Sequence, residues 1–483
     1  MPGNLLPEVD ARSASPDPTL ADLAPPDLAK DSPPRLIWRL ALPAIIGLSA
    51  NALYHTVNAM FLGRLGAEAV SAVSAVFPVL ILLGAIGEGI AVGTASLASR
   101  LLGAKDQHAA NRAATTGLAV ALLTGIALSF CSGDVLRLFG VTDSAFPLAH
   151  AYLRIALCGY TLLMLQIFGD FLAIAEGNTR FSMWVLIAAF GVNTVLDPVF
   201  IFGFGWGVTG AAAATLVAQM TAAACYLRYF IKGMGHIRIA PRFLAASRAI
   251  LTEIAVIGLP ATAATALTAL AFALVYGRAA AYGDEAVAGV GIALRLYSLG
   301  ALPVYGFCLG ARPVLGYAWG AGDMARASAA LRFMASVCLA ACAAYAVAIL
   351  NLAPQILPLF TRDPGVAAIG VRTAHACFAL FAFFGMHVAL VTFLQSTGQA
   401  LLAGILLLAP QGYFLIPGLL LLPPLWGLDG ILVSIPIAAG LAALASAAIL
   451  VRQFGRLRRS SIHVETATCR PTGSSVIPAK AGS

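Results

Sequence analysis

Leu42-Pro43, Gly66-Ala67-Glu68-Ala69-Val70, Gly93 and Gly103-Ala104-Lys105-Asp106 recur downstream as Leu259-Pro260, Gly283-Asp284-Glu285-Ala286-Val287, Gly310 and Gly320-Ala321-Gly322-Asp323. All four pairs stand 217 residues apart without a gap. Farther along the register drifts slightly: Gly177 matches Gly398, and Trp206-Gly207 matches Trp426-Gly427. A unit of this length, present twice in an apolar chain, is the plan of secondary transporters, whose cargo sites lie where the two copies meet.

The chain of 483 residues is 60% hydrophobic and 10% charged, with a mean hydropathy of +0.90. Ordinary soluble domains carry about 25% charge. Crossing the hydrocarbon takes roughly 20 apolar residues, and on that rule twelve helical spans are expected. They lie near 36–62, 70–99, 112–133, 148–174, 182–204, 208–230, 250–277, 286–318, 328–350, 367–396, 400–424 and 428–451. A membrane barrel would instead show short alternating segments. The expectation is an all-α integral membrane protein with two six-helix lobes. An even number of spans per copy makes the repeat parallel, with its pseudo-twofold axis along the membrane normal. The expected division is a tail at 1–34, an N-lobe at 35–230, a basic linker at 231–249, a C-lobe at 250–452 and a tail at 453–483.

Lys and Arg concentrate on one side, at Arg35, Arg39, Arg100, Lys105, Arg112, Arg228, Lys232, Arg238, Arg242, Arg248 and Arg452-Arg456-Arg458-Arg459. The other side carries Arg64, Arg137, Arg154, Arg278, Arg362 and Arg372, and Arg295 falls within a span. By the positive-inside rule both termini are cytoplasmic. The net charge of +8 then reflects topology rather than a nucleic-acid partner. Both tails read as disordered, and the first has no apolar stretch of a signal peptide. Seven of the eight cysteines lie in spans with no CxxC pair, as expected of small core residues.

Charges inside spans are costly and mark function by default. Glu88, Asp170, Asp197 and Arg295 are the four that stand out. Asn193 and Asp197 are four apart and share a helix face, as do Thr215 and Gln219. Pro198 follows Asp197 and frees the carbonyl of Thr194. A structural reading stands beside each: an interfacial acid for Asp170, an interhelical hydrogen bond for Glu88, a helix-pinning contact for Arg295. His55 and His387 are lone histidines, and Tyr54, Phe77, Tyr297 and Tyr305 are ordinary packing residues unless they line a cavity for flat cations. No Walker loop, HExxH or GxSxG is present, so neither ATP use nor soluble-enzyme chemistry is indicated.

Across about residues 36–455 the chain resembles the MATE (multidrug and toxic compound extrusion) transporters. The resemblance is carried by Leu42-Pro43 through Val57-Asn58-Ala59-Met60-Phe61-Leu62-Gly63, by Ser99-Arg100-Leu101-Leu102-Gly103-Ala104, and by Asn193-Thr194-Val195-Leu196-Asp197-Pro198 followed by Gly207-Val208-Thr209-Gly210 to Thr215. It implies a V of two lobes around a central cavity, and export of small organic cations or amphiphiles in exchange for protons or sodium. It implies no other cofactor, the lipid bilayer as surroundings, an inner (plasma) membrane location, and a monomer as sufficient. The pattern resembles the DinF-like branch. The acids that NorM-like members carry in the seventh and tenth spans are missing, with Thr268 and a neutral stretch near Met386 instead. The polar cluster of the DinF-like N-lobe then maps to Asn58, Asp170, Asn193, Asp197 and Thr215. Asn58 replaces an acid and Asp170 an amide, so Asp170 is expected to pair with Asp197 in the acid's place. Glu88 is a further candidate carrier, and Arg295, Tyr54 and Tyr305 are candidate gate or cavity residues. The alternative is a flippase of lipid-linked saccharide, which shares the two-lobe layout and is expected to have a more cationic cavity.

Overall fold

The computed structural model describes residues 28, 31–65, 67–130, 146–244, 247–361 and 363–468, which are helical almost throughout. In the N-terminal half the helices are α1 (Pro33–Gly63), α2 (Ala67–Gly103), α3 (Gln107–Ser129), α4 (Phe146–Cys158), α5 (Tyr160–Ala175), α6 (Thr179–Pro198) and α7 (Gly207–Ile231). The C-terminal half has α8 (Arg248–Ala280), α9 (Asp284–Gly320), α10 (Met324–Ile356), α11 (Pro364–Phe378), α12 (Phe381–Ser396), α13 (Ala400–Leu408), α14 (Ile416–Leu421) and α15 (Leu428–Thr468). Ten segments are long and apolar enough to cross a membrane, and two bent pairs, α4–α5 (53°) and α11–α12 (46°), bring the number to twelve. The bends fall at equivalent places, in the fourth span of each half. The fifth and eleventh spans also match, each widening into a π-helical turn, at Val199–Gly203 and Ala409–Leu415. Pro198 and Pro410 stand at these turns, where a proline removes a ladder bond and the backbone must rearrange.

The repeated motif has a physical reason. Lys105 and its mate Gly322 both adopt left-handed backbone, with φ of 61° and 74°, which reverses the chain after the second span of each half. The following residue caps the next helix: Asp106 accepts from the Ala109 N–H at 2.9 Å, and Asp323 from the Arg326 N–H at 2.8 Å.

The repeated glycines are where the halves touch. A Cβ at Gly103 would overlap the Tyr317 carbonyl and one at Gly320 the Arg100 carbonyl, a symmetric pair. Gly93 presses on Ile254 and Gly310 on Ala41, while Gly89 faces Gly258. Without side chains, helix backbones approach closely enough for dispersion contacts in lipid. Arg100 reinforces this junction through Glu253 at 2.8 Å, and Thr262 Oγ1 donates to the Ala85 carbonyl at 3.0 Å. Apart from the Thr262–Ala85 bond at mid-span, these contacts lie toward the end of the molecule where α1 begins and α2 ends.

Two expectations about the tails change. α15 runs on to Thr468, through the start of the expected tail at 453, because no proline interrupts the chain there. Of the expected tail 1–34, residues 28 and 31–34 are described; Arg326 holds them by donating to the carbonyls of Leu28 (2.8 Å) and Asp31 (2.6 Å). The remainder of both tails, Arg137 and Arg362 lie outside the described residues.

Candidate functional site in the N-terminal half

Three helices, α1, α6 and α7, converge on a buried polar cluster. Asn193 and Asp197, from consecutive turns of α6, are 0% and 1% exposed. With its amide nitrogen turned toward the acid, Asn193 donates to Asp197 Oδ2 at 2.9 Å, and its oxygen accepts from the Thr215 N–H at 3.0 Å. Thr215 Oγ1 donates to the Ala211 carbonyl at 3.0 Å, leaving its lone pairs for the Tyr54 hydroxyl at 3.3 Å. Tyr54 also interacts with Asn58, one turn along α1, and stacks on Phe190 at 4.9 Å. The remaining oxygens, Asp197 Oδ1 and Asn58 Oδ1, are buried and have no hydrogen-bond partner among the described residues. Buried acceptors left open are rare and costly. Such a pair is suited to receiving a proton or a cation.

Asp170 is not part of this cluster. It accepts from Ser182 Oγ and from the Tyr226 hydroxyl (2.9 Å). Ser182 and Asp197 lie on the same helix, about 22 Å apart along its axis at a rise of about 1.5 Å per residue. The expected pairing of the two acids is therefore not formed. Depth along the span explains the difference. Asp170 sits on the limb near the termini, and the fourth-span residue that reaches Asp197 and Tyr54 electrostatically is Tyr152, on the other limb.

Glu88 anchors a second cluster, where the halves meet. Thr265 Oγ1 donates to Glu88 Oε2 at 3.3 Å, and the Arg312 guanidinium interacts with the Glu88 carboxylate across the junction. Arg312 donates to Gln395 Oε1 at 3.3 Å and lies 5.6 Å from the Phe171 ring. Together with Ser96, Ser99 and Gln395 it lines a space of about 20 Å³, room for about one water. Arg312 had escaped the sequence reading because it sits near the termini end of a long span. Arg295 lies within α9 on an exposed face and interacts with Tyr276. Tyr305 meets Phe384 edge-on at 5.7 Å and faces Glu88. His387 bonds Ser446 at 2.8 Å within the core. The side chains of His55 and Phe77 lie outside the described residues.

Comparison with known proteins bears on this arrangement. The MatE family model matches residues 43–199 and again 260–413, so its two matches begin one repeat length apart. The chain belongs to the MATE family. The multidrug export protein MepA of Staphylococcus aureus strain N315 is 28% identical over 423 residues, covering 86% of this chain and 93% of its own. MepA of Staphylococcus saprophyticus is 26% identical over 419 residues, covering 86% and 92%. A solved multidrug resistance MATE transporter of the MOP superfamily, in an outward-facing conformation, superposes with a TM-score of 0.83 at 25% identity, covering 90% of this chain and 98% of its own. This MATE protein is thus a multi-pass membrane transporter of two six-helix lobes, and not an enzyme.

Proposed function

We propose that this MATE protein is a secondary antiporter that exports cationic or amphiphilic compounds in exchange for protons or sodium, with Asp197 as the coupling group. The observation that carries the proposal is the pair of open acceptors, Asp197 Oδ1 and Asn58 Oδ1, inside an otherwise satisfied buried network. An ion arriving there completes the network and biases the N-terminal half toward one packing. A cation binding the same acid competes with it. Coupling requires only that ion and cargo bind the two states differently. The inter-half contacts lie at the termini end, which supports a state closed on that side and open on the other. With both termini cytoplasmic in an inner (plasma) membrane, the closed side is the cytoplasmic one. The relatives named for multidrug export support the substrate class. Arg312 does not favour a saccharide-lipid flippase, because Glu88 faces it and offsets its charge. A single copy contains the Asp197 cluster and both lobes, so a monomer suffices.

The test is ethidium transport in proteoliposomes under an imposed proton gradient and then a sodium gradient. Transport driven by either gradient and abolished by Asp197→Asn is expected. Gradient-driven transport that survives this substitution overturns the assignment of Asp197.

A further inference from the structure

The small space beside Arg312 is bordered by matching positions of the two copies. Ala95 and Arg312, and Ser96 and Pro313, stand one repeat length apart. Ile174 and Gln395, and Ala175 and Ser396, match in the later register of Gly177 and Gly398. Repeat mates that border one space place it on the axis relating the copies. Neither half encloses it alone, so it closes only when the halves meet.

The mates differ in chemistry. Each pair sets a polar side chain against one that forms no hydrogen bonds: Arg312 against Ala95, Ser96 against Pro313, Gln395 against Ile174, Ser396 against Ala175. Ser99 joins them, and its mate Gly316 has no room for a Cβ because Ser99 Oγ lies there. Ser96, Ser99, Gln395 and Ser396 are all buried. Polar groups of both halves thus converge on about 20 Å³.

Most of them satisfy one another. Ser96 Oγ donates to the Gln395 carbonyl, Ser99 Oγ to the Ser96 carbonyl at 3.2 Å, and Arg312 to Gln395 Oε1 at 3.3 Å. Two atoms remain. Arg312 Nε and Ser396 Oγ are buried and have no hydrogen-bond partner among the described residues, a costly condition for each. The charge of Arg312 is met by Glu88, so the deficit is in hydrogen bonds and not in charge. Nε only donates, so an occupant must accept. Ser99 has given its hydrogen to Ser96 and offers lone pairs, so the occupant must also donate. A halide only accepts, and a metal cation is repelled by the guanidinium. Water does both, and the volume suits one molecule.

We propose that closure of the halves traps one water here, bonded to Arg312 Nε and Ser396 Oγ of the C-terminal half and to Ser99 Oγ of the N-terminal half. It acts as a latch. With the halves apart, these groups face bulk water and need no bridge. On closure one molecule stays, or two buried groups go unpaired. The water site stands without any transport reading; its role as a latch rests on the alternation proposed above.

The experiment is a crystal structure of the full chain closed at this end, grown with bromide in place of chloride and recorded at the bromine absorption edge. One isolated peak within hydrogen-bond distance of Arg312 Nε and Ser396 Oγ, with no anomalous signal, is expected. An anomalous peak would make the occupant an anion, and absence of a peak would leave both groups unpaired; either overturns the water. The latch is read separately, from thiol labelling of Ile254→Cys above the background of native thiols. Ile254 is buried against Leu97 and Ala113 of the N-terminal half and becomes accessible when the halves part. Ser396→Thr and Ser396→Val introduce side chains of one shape that differ by the hydroxyl, so any clash or misfolding is common to both. Labelling should be about threefold faster or more in the Ser396→Val chain than in the Ser396→Thr chain. Equal rates would overturn the latch.

Discussion

At the turn after the fourth span, the N-terminal half has Glu176-Gly177-Asn178 and the C-terminal half Thr397-Gly398-Gln399. The backbones agree, with Gly177 and Gly398 both left-handed at φ of 89° and 75°. The chemistry does not. Thr397 bonds the Phe393 carbonyl of its own helix at 2.9 Å, a neutral closure. Glu176 is fully buried and accepts from the Tyr229 hydroxyl at 2.6 Å and from the Ile237 N–H of the linker at 2.8 Å. The same contrast holds at the polar cluster, where Tyr54, Asn58 and Thr215 face repeat mates Ala271, Val275 and Ile435. Geometry was kept in both copies because helix packing and chain reversal need it. The buried acids Asp197 and Glu176 stand in one copy, since each costs stability in lipid and only one set is needed to sense an ion.

The largest expected effect tests the shared part. A leucine at Gly103 or at Gly320 meets backbone of the opposite half. Overpacking of about 1–3 kcal/mol acts on the closed end alone, enough to shift the two-state balance about fivefold or more. Transport should collapse in both variants, with increased labelling of cysteines placed at that end. Gly84→Leu, where a Cβ meets nothing within 4 Å, should transport normally. Unequal effects at Gly103 and Gly320 would break the symmetry.

Next in size is the junction charge pair. Arg312→Gln removes the charge that acts on Glu88 across the junction and should lower thermal stability, and Glu88→Gln in the same chain should recover much of that loss. Thermal unfolding of Arg312→Gln, Glu88→Gln and the double variant checks this, and additive losses would mean that the two groups do not interact.

Glu176 gives a pH signature peculiar to the N-terminal half. Burial pushes its carboxyl up to about 7, against the lowering effect of the Tyr229, Ile237 and His236 hydrogen bonds. A raised acid prefers the folded state when protonated. Its contribution is therefore complete below the ordinary carboxyl range near 4.5 and is lost as pH rises through about 7. Thermal stability should fall by a few degrees from pH 6 to pH 8, and Glu176→Gln should flatten that slope and raise Tm at pH 8. A slope unchanged in the variant would assign the effect elsewhere. The smallest change is Tyr54→Phe, which removes one hydroxyl contact to Thr215, worth about 0.5–1.5 kcal/mol. A loss of transport of about threefold is expected, read as initial rate.

Much of this was legible in the sequence. Apolar runs and the fixed repeat give the twelve spans to within several residues, and the four-residue spacing puts Asn193 and Asp197 on one face. Depth along a helix and bends within a span were not legible. Asp170 was aligned to the cluster by span number, yet it lies several turns away because it sits near the termini-side end of α5, level with Ser182 at the start of α6. Arg312 was hidden by its nearness to a basic helix end, and its role emerges only when Glu88 is brought to it from the other half. The glycines carried a plain packing signal, and only the partner helices reveal that they pack one half on the other.

The central claim is that ion and cargo meet at Asp197 in one half alone. The direct measurement is release of protons, or of sodium, when ethidium is added to purified protein in weak buffer. Wild type and Asp170→Asn should release the ion on binding, and Asp197→Asn should bind without release. Release undiminished in Asp197→Asn would contradict the account.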